Sequence, residues 1–354
     1  MAIDAIKSSS GQSAGPPTDP VVEAARALLG EVPQAARPVL LGGNNRIYRL
    51  ECGGRSVALK FYPRQDSDPR DRLGVEYEAL EFLAAHGVTS IPRPLACDRG
   101  LGCAAYEWIE GERIVTPSPD EIGALASFLA RLHGLRLASG AGRLRPASAS
   151  CFAPAQVEAQ LRSRRIRLDP VLADEPALAR FLAERFDPLA AAVLAGMRRR
   201  LGGGEGWERP LAEERRTLSP SDFGFHNALR RGAEVIFLDF EYFGWDDPVK
   251  ATCDVMLHPG TGLDENQADR FLQAVRPVFV AADPGFDERL DYLYPAFALI
   301  WCLILLNEFL PDSWARRVRP GISEDRRTVL SRQLEKAERL HQRIVSRHGP
   351  SSFV

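Results

Sequence analysis

The feature that most constrains this chain is a change of hydrophobic period near Gly111. Before it the pattern is strand-rich. Ile47 to Cys52 and Ser56 to Tyr62 are apolar runs with β-branched and aromatic residues. They flank Gly53-Gly54, a two-residue linker suited to a primed hairpin turn. Leu73, Tyr77, Leu80 and Ala84 then recur at helical spacing, with Gly87 as the stop. Cys103 to Ile109 reads as another strand, closed by Glu110-Gly111. After Gly111 the period is helical. Ser118-Pro119-Asp120-Glu121 reads as a capping box, and Ile122, Leu125, Leu129 and Leu132 form the apolar face behind it. Residues 155 to 200 and 265 to 348 read as helical, with Leu330, Leu334, Ala337 and Ile344 lining a last helix capped by Gly349. One β island, from about Leu218 to Phe243, interrupts the helices.

This pattern predicts an α+β chain with a small β-rich N-terminal lobe and a larger, mainly helical C-terminal lobe. Residues 1–19, rich in Ser, Gly and Pro, are expected to be a flexible tail. Residues 20–110 form the first expected lobe, opening on a short helix from Asp19-Pro20 to Leu29. Residues 111–354 form the second.

Composition narrows the classes of function. Hydrophobic residues make up 45% of the 354 residues, ample for a large core. Lys and Arg total 45 against 47 Asp and Glu, without the basic excess of a chain devoted to nucleic acid. Cys52, Cys97, Cys103, Cys151, Cys253 and Cys302 form no C-x-x-C pair, so a zinc site is not expected and reduced thiols are. The first residues carry no apolar leader, and the expected location is the cytoplasm. The most apolar run, Ala296 to Leu306, falls short of the ~20 residues of a membrane span and reads as a buried helix.

The chemistry gathers in the β island. Asp222 and Asn227 lie five positions apart, and the apolar run Val235 to Phe240 carries Asp239. Phosphoryl transfer to a hydroxyl needs one carboxylate to orient the acceptor and hard oxygen ligands for Mg²⁺. In the strand-rich part, Val57-Ala58-Leu59-Lys60 puts a lysine at the end of an apolar strand, and Glu76 follows on the next helix. A strand lysine on nucleotide phosphates, held by a helix glutamate, is the matching half of a kinase.

With these five residues in that order, the chain resembles the aminoglycoside phosphotransferase family, relatives of choline kinase and of protein kinases. The resemblance runs from about residue 38 to 258. It covers Ala58-Leu59-Lys60, the helix around Glu76, the Tyr106 to Gly111 hinge, Leu129 to His133, the Pro220 to Asn227 loop, Leu238-Asp239 and Asp247-Pro248. It implies a bilobal protein-kinase-like fold and transfer of the γ-phosphoryl group of ATP or GTP. The acceptor would be a hydroxyl of a sugar, an amino alcohol or an aminoglycoside-like molecule. It makes Asp222 the catalytic base and Asn227 and Asp239 the Mg²⁺ ligands. Lys60, held by Glu76, would grip the phosphates, and the backbone of Glu107 and Ile109 would meet the adenine. Gly42-Gly43-Asn44-Asn45 would cover the phosphates with its N–H groups. Two departures stand out: the phosphate loop lacks the G-x-G-x-x-G of protein kinases, and the catalytic loop differs at one position. The family's histidine before the catalytic aspartate is Pro220 here. That departure leaves a second expectation, a nucleotide-binding scaffold or regulator of the pseudokinase kind.

Plainer expectations stand beside these. His226 either touches substrate or packs its loop. His133 is expected to be a satisfied core histidine, and Asp247 either to cap a helix or to touch a cationic substrate. Glu241, Asp246 and Asp254 are expected to form a solvated acidic surface, and Arg162 to Arg167 and Arg198 to Arg200 to be solvated helix faces.

Overall fold

The computed structural model of this protein describes residues 19–39, 45–62, 70–202, 204–317 and 324–348. The expected tail, except for Asp19, lies outside these residues. So do Gly42, Gly43 and Asn44 of the expected phosphate loop, and the Gly349 cap. The chain divides into two units, Met1–Glu110 and Gly111–Val354.

The first unit is α1 (Asp19–Leu29), β1 (Ala35–Val39), β2 (Arg46–Cys52), β3 (Arg55–Phe61), α2 (Arg72–Ala85), β4 (Pro94–Asp98) and β5 (Cys103–Glu107). Gly53 and Gly54 both take positive φ, at 52° and 78°, as a type I′ turn requires, and β2 pairs with β3 across it. The strands form one antiparallel sheet in the order β1-β2-β3-β5-β4. Alternation sets its two faces. Leu50, Cys52, Val57, Leu59, Cys103 and Ala105 bury one face with Val21, Ala24 and Ala25 of α1. Because Leu59 points toward α1, its neighbour Lys60 points to the opposite face. The two edge strands were not expected from sequence. AARPV and PLACD have weak alternation and contain Pro38 and Pro94, which read as breakers. An edge strand or a first strand position tolerates proline, because no ladder donor is needed there.

The second unit opens on β6 (Glu112–Arg113) and α3 (Pro119–Leu135). The capping box is formed: Glu121 N–H donates to Ser118 Oγ at 3.3 Å, and Ser118 N–H donates to Glu121 Oε2 at 2.7 Å. The helical stretch expected over 155–200 is three helices, α4 (Pro154–Ile166), α5 (Pro176–Phe181) and α6 (Asp187–Leu201). Pro176 opens α5 at its first turn, while α5 and α6 are joined without a break through a π-helical turn, Leu182–Phe186, just before Pro188. The short α7 (Glu205–Glu208) follows.

The β island is two small sheets rather than one hairpin. β7 (Thr217–Ser219) pairs with the later β10 (Gly244–Asp246). Between them β8 (Ala228–Arg231) and β9 (Glu234–Phe237) form the expected hairpin, to which β6 adds a third strand. Phe128 of α3 packs on Phe223, Phe237 and Phe240, which anchors the chain on both sides of this hairpin.

The remaining helices are α8 (Pro248–Leu257), α9 (Glu265–Ala282), α10 (Phe286–Leu305), α11 (Pro311–Arg317) and α12 (Arg326–His348). α3 packs on α9, while α10 packs against α4, α8 and α12. The segment Phe286–Phe309 is apolar and long enough to cross a membrane, but it is mostly buried inside this unit. Ala296 to Leu303 is buried throughout, as expected for a core helix.

Candidate active site

The two groups expected to hold nucleotide phosphates meet in the first unit. Lys60 leaves β3 opposite Ala104 of β5, whose small side chain leaves room for the lysine. Its Nζ donates to Glu76 Oε2 of α2 at 2.6 Å, and both residues are buried. The Tyr62 hydroxyl donates to the same oxygen at 2.7 Å, and the Tyr106 hydroxyl lies 2.7 Å from that of Tyr62. Since Tyr62 spends its proton on Glu76, Tyr106 donates to Tyr62. Burial, and next the Glu76 charge, push both phenols well above their usual range, so they serve as neutral donors. Glu78, the alternative helix acid, is instead paired with Arg99 at 2.8 Å.

At the end of β5, Glu107 N–H donates to Arg93 O at 2.9 Å. The Ile109 N–H has no partner among the described residues. That is a free backbone donor at the position expected to meet a base edge.

The loop after β7 is held in a tight, strained form. Ser221 has φ 68°, in the left-handed region, at a cost of order 1–3 kcal/mol. Two bonds hold it there: Ser221 N–H to Ser219 Oγ at 3.1 Å, and Ser221 Oγ to Ser148 O at 2.9 Å. Phe223 and Phe225, which follow Asp222, are buried, while the Asp222 side chain keeps part of its surface exposed. Oδ1 of Asp222 lies 2.9 Å from His226 Nε2 and 3.1 Å from His258 Nε2. Burial alone would raise this acid. The donors from His226 and His258 outweigh it and hold Asp222 well below the usual carboxylate range.

Asn227 and Asp239 stand at the same end of the β8–β9 hairpin. Leu238 N–H donates to Asn227 O at 2.8 Å, one position beyond the last strand pair, and Asp239 follows with φ 65°. Asn227 Nδ2 donates to Asp222 O at 3.0 Å, so its amide oxygen points away from that bond. Asn227 therefore offers Oδ1 and Asp239 a carboxylate. This all-oxygen set fits Mg²⁺ and not a soft metal.

The expected acidic surface is not a surface. Asp246, Asp254 and Glu241 are buried. Lys250 Nζ bridges Asp246 Oδ2 at 3.0 Å and Asp254 Oδ2 at 2.6 Å. Burial raises Asp246, against the pull of Lys250, while the two carboxylates keep Lys250 protonated despite its burial. Asp247 caps α8 through Val249 N–H at 2.8 Å and pairs with Arg289, which also holds Asp283. Sequence shows charge but not depth, which is why these acids read as solvated. Their cations, Lys250 and Arg289, come from α8 itself and from distant α10.

The arginine runs are mostly paired. Arg165 bonds Asp187 and Asp169, and Arg198 bonds Glu158. His133 is buried as expected but not satisfied. Among the described residues neither ring nitrogen has a partner, and burial lowers its pKa to about 4. The residue that sequence reasoning missed is His258. It sits in no motif, and its only local signal is the glycine pair Gly260 and Gly262 just after α8.

The model of the phosphotransferase enzyme family matches residues 35–289. The chain belongs to this family. Among solved structures, this phosphotransferase is similar to a spectinomycin phosphotransferase in complex with ADP and spectinomycin. The two share 13% identity and a TM-score of 0.58, over 91% of this chain and 97% of that one. It is similar to a choline kinase from Cryptosporidium parvum Iowa II at 10% identity and TM-score 0.58, over 94% and 98% of the two chains. A choline/ethanolamine kinase family protein from Mesorhizobium loti matches at 18% identity and TM-score 0.52, over 92% and 97%. These likenesses show the α+β, protein-kinase-like fold. A search of curated proteins finds no match.

Proposed function

We propose that this phosphotransferase is an ATP- or GTP-dependent small-molecule kinase with an alcohol as acceptor. One observation carries the reading. Asp222 is kept ionised by two ring N–H groups on one oxygen, beside an asparagine whose amide oxygen is turned outward. Residues 20–110 form the nucleotide-binding lobe, and residues 111–354 carry the catalytic and acceptor-binding groups. Lys60, braced by Glu76 and Tyr62, binds nucleotide phosphates, and the Ile109 N–H with the Glu107 backbone meets the base. Asn44 falls outside the described residues and is assigned to the phosphate loop by resemblance alone. Asn227 and Asp239 would hold Mg²⁺, which when bound neutralises charge on the phosphates. Asp222 orients the acceptor hydroxyl and receives its proton.

The acceptor belongs to the sugars, amino alcohols or aminoglycoside-like molecules. Relatives in complex with spectinomycin or named for choline support that range. The acids around Lys250 and Arg289 lend no support to a polycationic acceptor, since they are buried and paired within the protein. The six cysteines form no disulfide, which supports a cytoplasmic setting.

The test is melting of the protein with ATP or GTP, with and without Mg²⁺, followed by a phosphoryl-transfer screen over the three acceptor classes. A ligand at 100 times its Kd stabilises the fold by ~2.7 kcal/mol. A Mg²⁺-dependent shift lost in Asp239→Asn, with transfer to one acceptor class, is expected. Nucleotide binding with no transfer to any acceptor favours the scaffold reading that Pro220 suggests. No nucleotide shift sinks both.

A further inference from the structure

The contacts of Asp222 divide its two oxygens. Oδ1 takes both histidine contacts, and no partner of Oδ2 exists among the described residues. An ionised carboxylate oxygen only accepts, so each Nε2 carries a proton. For His258 a second bond fixes the same tautomer. Its Nδ1 accepts Gly260 N–H at 2.8 Å, which leaves the ring hydrogen on Nε2. The two imidazoles stack with centroids 4.0 Å apart and planes 1° apart. His258 also stands edge-on to Trp301 at 4.6 Å, and Trp301 Nε1 donates to Asp254 Oδ1 at 3.1 Å. Gly260 backs the stack. A Cβ there would lie 2.8 Å from His226 Cγ and 2.9 Å from His258 Cε1, so any side chain displaces the rings.

We propose that His258 and His226 are positioning residues for the transfer step. They clamp Asp222 by Oδ1 and so present Oδ2 to the acceptor hydroxyl. This rests on the kinase reading above. In the step, the hydroxyl oxygen bonds to the γ-phosphorus and its proton passes to Oδ2. The bond to the bridging oxygen breaks, and the nucleoside diphosphate leaves with the electron pair. The clamp comes from the chain just after α8, in a protein whose own loop carries Pro220 where the family has histidine. The same three side chains resemble a two-histidine, one-carboxylate metal set. One observation opposes that: His258 Nδ1 accepts Gly260 N–H, so Nε2 holds the ring hydrogen and offers no lone pair to an ion.

The experiment compares full-length His258→Phe, which keeps a flat ring but no donor, with His258→Gln, which keeps an N–H. Losing one charge-assisted bond should lower kcat about 10- to 100-fold in the Phe variant. Nucleotide KM and melting temperature should stay at parental values, and Gln should recover much of the loss. A purely structural role would instead move melting temperature and both KM values. Parental kcat in His258→Phe, or equal loss in both variants, overturns the proposal. A second readout needs no turnover: ¹⁵N spectra of the histidine rings. His258 should be the Nε2–H form, with a proton signal that moves in Asp222→Ala. An Nδ1–H form, or a signal indifferent to Asp222→Ala, overturns the clamp. Spectra as expected in a parent that transfers phosphate to no acceptor would sink the kinase reading alone.

Discussion

Asp222 and Asp246 are both held by several donors in the same unit, and they end in opposite states. Asp246 has no exposure. Lys250 occupies its Oδ2, and the backbone N–H groups of Asp247 and Cys151 occupy Oδ1 at 2.9 and 3.3 Å. Asp222 keeps one oxygen unoccupied, and its side chain is 37% exposed. The difference is one of spare bonding capacity, not of charge. A carboxylate saturated by a buried cation is structural, since nothing can approach it without breaking the pair. A carboxylate oriented by neutral N–H groups on one side can still accept a proton on the other.

The largest way to sharpen this contrast is Asp222→Asn. Loss of an acid–base group of this kind costs about 10²- to 10⁴-fold in rate. Turnover should fall by that much, while melting temperature and nucleotide binding stay near parental values. Unchanged turnover would remove Asp222 from the chemistry. Lys250→Met is the counterpart. It leaves two carboxylates buried without their cation, a change that typically costs 3–5 kcal/mol, roughly what urea unfolding should report. A loss below about 1 kcal/mol would place the pair in the class of exposed bridges.

His133 extends the comparison to histidine, since unlike His258 it has no hydrogen bond among the described residues. It meets Phe279 of α9 edge-on at 5.1 Å, and Arg136 adds to the effect of burial. Its folded-state pKa is depressed from 6.5 to about 4. The unfolded chain therefore takes up the proton first. The stability the neutral ring contributes is full above pH 6.5 and is lost as the pH falls toward 4. That difference corresponds to roughly 3 kcal/mol. His133→Leu should flatten the acid side of the stability curve between those limits. An unchanged acid slope would mean that the ring is already hydrated. The smallest effect is expected at Ser118→Ala. It removes the N-cap of α3, which bonds neither aspartate, and should cost about 1 kcal/mol in thermal melts. Any loss of turnover there beyond the unfolded fraction would link α3 to the site.

What the sequence could show was local. The glycine hairpin, the capping box and the order Lys60, Glu76, Asp222, Asn227, Asp239 each lie within a few residues of their signal. Lys60 and Glu76 could be paired because a strand-end lysine followed by a helix glutamate is the phosphate-gripping half of a kinase. The edge strands β1 and β4 escaped notice because pairing on one side leaves little periodic trace. Asp246, Lys250 and Asp254 stand four apart and could be read as a helical ion-pair row, yet depth is decided by α4 and α10, far along the chain. His258 was illegible for the same reason. Its partner lies across a loop, and only the folded backbone brings Gly260 behind it.

The apolar α10 helix has a consequence for how this chain is made. α10 is complete at Leu305, but α12, which covers part of it, begins only at Arg326. A nascent chain that has emerged only as far as α10 can cover it with α4 and α8, but the apolar face that α12 takes stays bare until α12 follows. Such segments are where chaperones bind and where aggregation starts. A message truncated ahead of α12 would yield a chain that presents this helix to the membrane-insertion and quality-control machinery, whatever the state of its catalytic loop.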